Sequence, residues 1–87
     1  MYVLVVYDVA VERVGKVHKF LKGFLHWRQN SVFEGELTES QIEKLRDGLD
    51  KIISADADSV LFYISRDARW LRREHLGKTA TTVENFL

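Results

Sequence analysis

The sequence has no cysteine, no proline and no formal net charge. Without cysteine, no disulfide framework can reinforce an 87-residue chain, a size at which one hydrophobic core gives only modest stability. Self-association is the readiest supplement. The missing prolines argue against a thermophile's loop chemistry, although thermolabile residues are scarce. No apolar run approaches the roughly 18 residues that would cross a bilayer. The first residues also lack the basic leader of a signal peptide, so a cytoplasmic protein with no membrane partner is expected. Zero net charge, taken alone, argues against a nucleic-acid partner.

The distribution of charge argues the other way. Arg13, Lys16, Lys19, Lys22 and Arg28 follow one another with His18 and His26 beside them and no acid between. Residues 34–58 are dominated by acids, and residues 66–78 turn basic again with Arg66, Arg69, Arg72, Arg73 and Lys78. A polyanion responds to the local field rather than to the sum over the chain. The plainer reading of the same residues is a set of solvated helix faces.

The 46% hydrophobic content is that of a folded globule, and its periodicity divides the chain. Residues 2–8, rich in Val and Tyr, read as a strand of the buried type. Val14, Val17, Leu21, Phe24 and Leu25 recur at helical spacing and predict an amphipathic helix over 11–25, despite Gly15 and Gly23. Residues 26–37 read as one strand or a closely joined pair. Thr38 and Gln41 have capping-box spacing ahead of the stripe Ile42, Leu45, Leu49, Ile52 and Ile53, which predicts a second helix. The stretch "DADS" ends it, and "VLFYIS" is another buried strand. Strand, helix, one or two strands, helix, strand is the order of an α+β, ferredoxin-like βαββαβ sandwich, an antiparallel sheet with both helices on one face. One domain over residues 1–87 is expected, with a core over 1–66 and a tail over 67–87. Apolar residues at successive strand positions require cover on both faces, and a homodimer through the open face provides it. Residues 68–76 then read as a further strand reaching a partner's sheet, or as a short helix.

Asp8 ends the first strand. In such a sheet that strand is central, so Asp8 meets solvent at the sheet's edge, and two chains related by a two-fold axis would bring two such carboxylates into a shared cleft. Like charges held close repel unless a cation or proton lies between them. Mg²⁺, or Mn²⁺, suits such a place, because it takes one or two carboxylates and completes its shell with water and phosphate oxygens. The alternative is that Asp8 caps the following helix. Asp56 and Asp58 read as turn formers, His18 as a residue on a solvated helix face, and Ser31 as a strand-edge hydroxyl. Trp27 and Phe33 read as core residues before base-stacking ones.

These residues carry a resemblance. Tyr7 and Asp8 at the strand end, Arg13, Lys16 and Val17 in a basic helix, "QNSVFEGEL" over 29–37, "DSVLFYIS" over 58–65 and Leu76-Gly77 resemble the small CRISPR-associated adaptation protein, often catalogued as a CRISPR-associated endoribonuclease. The resemblance spans nearly the whole chain. It implies a ferredoxin-like homodimer with a divalent metal between the two Asp8 carboxylates. Nuclease activity on RNA or duplex DNA is also implied, as is a scaffold role bridging two dimers of the CRISPR integrase. Carried onto this sequence, it makes Asp8 the catalytic metal ligand and Arg13, Lys16 and Arg28 phosphate contacts, to which the charge pattern adds Lys19. Tyr7, Ser31 and Phe33 become neighbours of the metal cleft. Ala10 stands where many relatives have a polar residue or proline. Two functions remain open from sequence: a metal-dependent endonuclease, and a non-catalytic DNA-binding adaptor between integrase subunits.

Overall fold

The computed structural model describes residues 1–77. The elements run β1 (Tyr2–Asp8), α1 (Val11–Lys22), β2 (His26–Gln29), β3 (Val32–Glu36), α2 (Glu39–Ile52) and β4 (Ser59–Ser65). A short 3-10 turn at Ala68–Trp70 follows. The four strands form one antiparallel sheet in the order β2-β3-β1-β4, the ferredoxin-like topology. The two central strands are thus β1 and β3, and residues 26–37 form a pair of strands rather than one. Their connection turns at Asn30, whose φ of 44° is left-handed, a conformation asparagine tolerates better than most residues.

Strand side chains alternate faces, so β1 sends Val3, Val5 and Tyr7 to one side and Tyr2, Leu4, Val6 and Asp8 to the other. The first set is buried together with Phe33 against Val17 and Leu21 of α1 and Ile42, Leu45 and Leu49 of α2. Both helices therefore lie on one face. The start of α2 is fixed as its sequence predicts: Thr38 accepts from the Gln41 N–H at 3.1 Å, and the Thr38 N–H donates to the Gln41 side chain at 2.9 Å. Helix α1 stops at Lys22, short of the predicted end, because the chain tightens at Gly23; the N–H groups of Phe24 and Leu25 still reach the Leu21 carbonyl.

The helices touch closely at one point. A Cβ on Gly48 of α2 would lie 2.1 Å from the tip of the Phe20 ring of α1, so only glycine fits there without moving the ring. Gly15, exposed on α1, has nothing within 4 Å of its would-be Cβ.

Among the described residues no helix lies over the opposite face of the sheet. Leu61 and Tyr63 of β4 are about half exposed there, beside Leu4 and Val6. After β4, Asp67 caps the 3-10 turn by accepting from the Arg69 N–H at 2.8 Å. Residues 71–74 then border shallow cavities on this open face with Tyr2, Leu4 and Glu34. Of the two readings of residues 68–76, the helical one holds for a single turn; no strand follows Ser65 among the described residues. The remainder of the expected tail, residues 78–87, lies outside the described residues.

Candidate metal centre and nucleic-acid interface

Asp8 is the last residue of central strand β1, opposite Ser59 of β4, exposed and on the open face. It does not cap α1. The residue at the cap position is Ala10, with no side-chain cap bond, and the Ala10 N–H is taken at 2.9 Å by Asp58 Oδ1. Among the described residues the Asp8 carboxylate takes part in no ion pair, and no three metal-ligating side chains converge anywhere. Asp8 would give a metal centre one hard oxygen ligand per chain, a donor that fits Mg²⁺ or Mn²⁺ retaining most of its water and does not fit a closed zinc site.

The neighbours expected around Asp8 divide between the two faces. Ser31 comes close in the sheet: its carbonyl accepts from the Tyr7 N–H at 3.1 Å. Tyr7 and Phe33, however, are buried on the helix side of the sheet, with ring centroids 6.2 Å apart. The reason is the two-residue period of strands: Tyr7, one position before Asp8, points the other way. They support the strand end from below instead of lining a cleft above it. The Tyr7 hydroxyl hydrogen-bonds with Nδ1 of His18 at 3.3 Å, and burial pushes the phenol's pKa up. His18 is not on a solvated face; its imidazole packs edge-on against Phe33 and Trp27, 5.0 and 5.8 Å between centroids.

The candidate phosphate contacts also separate. Lys16, Lys19 and Lys22 are exposed along α1. Arg13, on the same helix, is already engaged: its Nε donates to Asp58 Oδ2 at 2.5 Å and its Nη2 to Oδ1 at 3.1 Å, while Nη1 lies 3.5 Å from Glu12. The guanidinium's fork is filled by a carboxylate, which leaves little of it for a phosphate. Arg28 of β2 belongs to the open face, where its Nε donates to Glu34 at 2.7 Å. Half of its side chain is exposed, so it retains donors toward solvent. The lysine row and Arg28 therefore address different sides of the molecule.

Two buried acids organise these surroundings, and neither stood out in the sequence as a structural centre. Asp58, whose side chain is 0% exposed, also accepts from the Ser54 N–H at 2.8 Å. The Arg13 hydrogen bonds, reinforced by the Ser54 and Ala10 amides, hold its carboxyl well below the usual carboxylate range. Glu34, 2% exposed, receives Arg28 and also Arg73 from the segment after the 3-10 turn. Burial pushes the Glu34 carboxyl up, but the hydrogen bonds from Arg73 and Arg28 outweigh it, and the net direction is down. An acid alternating with apolar strand residues looks solvent-facing in a sequence. The one available signal for Asp58 was its place directly before an apolar strand.

Comparison with known proteins agrees with this architecture. The family model described as CRISPR associated protein Cas2 matches residues 1–73. A protein of Pyrococcus furiosus named CRISPR-associated endoribonuclease Cas2 is 49% identical over 87 residues, covering both chains completely. One of the same name from Methanothermobacter thermautotrophicus is 51% identical, over all of this chain and 96% of the relative. Among solved structures, a Cas2 crystal structure superposes with a TM-score of 0.87 at 49% identity, covering 100% of this chain and 98% of that one. Streptococcus pyogenes Cas2 gives 0.76 at 34% identity, over 88% of this chain and 100% of its own. The chain belongs to the Cas2 family of CRISPR-associated proteins.

Proposed function

We propose that this chain is a metal-dependent endonuclease of CRISPR defence, acting as a homodimer on RNA or duplex DNA in the cytoplasm, in company with the CRISPR integrase during spacer acquisition. The observation that carries the reading is the exposed Asp8 carboxylate at the rim of a sheet face, with Leu61 and Tyr63 on it, that no helix among the described residues covers. The relatives, named endoribonucleases, supply the reaction class.

A second copy seated on Leu61 and Tyr63 would hide apolar surface that a monomer leaves in water, and would bring the two Asp8 carboxylates toward a common axis. Mg²⁺ or Mn²⁺ held by that pair supplies charge neutralisation at the scissile phosphate and a more acidic bound water. In the hydrolysis itself, a water oxygen bonds to phosphorus, the ester bond to the leaving sugar oxygen breaks, and the proton lost by water ends on that leaving oxygen. The chain's own contribution is to hold the strand. Lys16 and Lys19 of α1 act at a distance from the cleavage point, and Arg28 acts at the open face with the donors Glu34 does not use. Such contacts grip phosphate and carry no base sequence.

One observation favours the second reading, a non-catalytic adaptor that bridges integrase dimers: the lysine row of α1 is independent of Asp8 and would bind duplex DNA without it. Labelled RNA and duplex DNA incubated with wild type and Asp8→Ala, with and without Mg²⁺, separate the two. Cleavage that needs both Asp8 and metal supports the enzyme. Equal cleavage by both proteins removes it, and intact integrase assembly without any cleavage leaves the adaptor. Ultracentrifugation at micromolar concentration is expected to give about twice the 10.2 kDa chain mass, and a persistent monomer contradicts the shared cleft.

A further inference from the structure

We propose that Asp58 is a positioning residue for Asp8, an assignment that rests on the nuclease reading above. Its carboxylate joins three parts of the chain at one point. Oδ1 accepts from the Ala10 N–H, in the two-residue link between β1 and α1, and from Arg13 Nη2 in the first turn of α1. Oδ2 accepts from Arg13 Nε and from the Ser54 N–H after α2.

Asp58 also immediately precedes Ser59, the register partner of Asp8. The backbone on both sides of Asp8 is thereby tied: on one side by the β4 ladder, on the other by the Ala10 amide two residues on. Helix α1 has no cap side chain of its own, since Ala10 has none to offer, and Asp58 takes the N–H of that cap residue from 48 residues away, the bond that the third residue of a helix makes in a capping box. A carboxylate with no accessible surface and four donors has no rotamer to exchange into, and the link it holds inherits that rigidity. In a centre where each chain gives only one ligand, the direction of that ligand decides whether two of them can share an ion; hydrogen bonds made directly to such ligands are commonly worth about 10–100-fold in affinity or activity, and Asp58, which acts on Asp8 through the backbone, belongs at the low end of that range.

The test compares Asp58→Asn, which keeps the shape and one acceptor but loses the charge, with wild type, using Mn²⁺ alone as the probe in a calorimetric or paramagnetic titration. The midpoint is expected to rise at least tenfold in folded, dimeric Asp58→Asn. Ile42→Val, a core variant in α2, is the control for stability: it lowers the melting temperature and leaves the Mn²⁺ midpoint unchanged. A midpoint in Asp58→Asn equal to wild type, or a shift matched by Ile42→Val, overturns the assignment. Should Asp58→Asn not fold, Arg13→Lys keeps the positive charge, removes the two-pronged contact and is expected to move the midpoint in the same direction. If wild type takes up no Mn²⁺ at all, the nuclease reading fails, and ¹⁵N relaxation at residues 9–11 then decides the positioning: order in Asp58→Asn equal to wild type overturns it.

Discussion

Adding a single methyl group at two glycines is expected to move stability in opposite directions. Both Gly15 and Gly48 lie inside helices, where glycine costs about 1 kcal/mol relative to alanine. At Gly15 the added Cβ meets nothing within 4 Å, so Gly15→Ala should stabilise by about 0.5–1 kcal/mol. At Gly48 the same methyl would stand 2.1 Å from Phe20 Cζ and within 2.9 Å of both Cε atoms, which forces the ring back by more than an ångström. Overpacking of this kind costs about 1–3 kcal/mol, which cancels or exceeds the gain in helix propensity. The separation between the two variants is the overpacking cost itself, about 1–3 kcal/mol, or at least about 4 °C in melting temperature for a chain of this size. Thermal and urea unfolding at one fixed protein concentration read it, since dimerisation makes melting concentration-dependent. In a Phe20→Leu background the penalty at Gly48 should shrink and the two substitutions converge. If Gly15→Ala and Gly48→Ala shift stability alike in the wild-type background, the close approach of α1 and α2 is wrong.

Two further outcomes are expected. Asp58 has a folded-state pKa below its unfolded value, so its ionic contribution is fully present above the ordinary carboxylate pKa of about 3.9 and is lost as pH falls through the depressed folded value. Acid titration from pH 5 downward should therefore destabilise wild type more steeply than Asp58→Asn, and parallel curves would refute the charged clamp. Replacing both Lys16 and Lys19 by Gln should weaken nucleic-acid binding without sequence preference and reduce the salt dependence of log K by about 2; an unchanged slope in filter-binding assays would take α1 out of the interface.

What could be read from the sequence was whatever repeats locally. The alternation in β1 and the stripe from Ile42 to Leu49 were visible because burial on one side leaves a period, and the Thr38 and Gln41 box marks its helix within four residues. The paired strands β2 and β3 were harder: the turn is made by the left-handed Asn30 without a following glycine, so no hairpin signature announced it. Asp8 was legible as a strand end, and its competing role as a helix cap depended on a bond the sequence cannot display. The partners of Arg13 and Arg28 were hidden for different reasons. Arg13 meets Asp58 across 45 residues, and Glu34 is buried only because Arg28 and the segment after the 3-10 turn close over it. His18 belonged to the same class, a polar residue whose hydroxyl and aromatic neighbours come from other elements.

The contact of Arg73 with Glu34 bears on how the protein should be handled at the bench. It makes the segment beyond β4 a roof over one strip of the sheet, and the roof beam is a single guanidinium. Trimming the chain after residue 66 to obtain a tidier specimen would strip that cover, leave Glu34 without Arg73 and bare the greasy surface around Leu4. The shortened product should be stickier and harder to concentrate than its parent, so crystallisation screens are better begun with the tail in place.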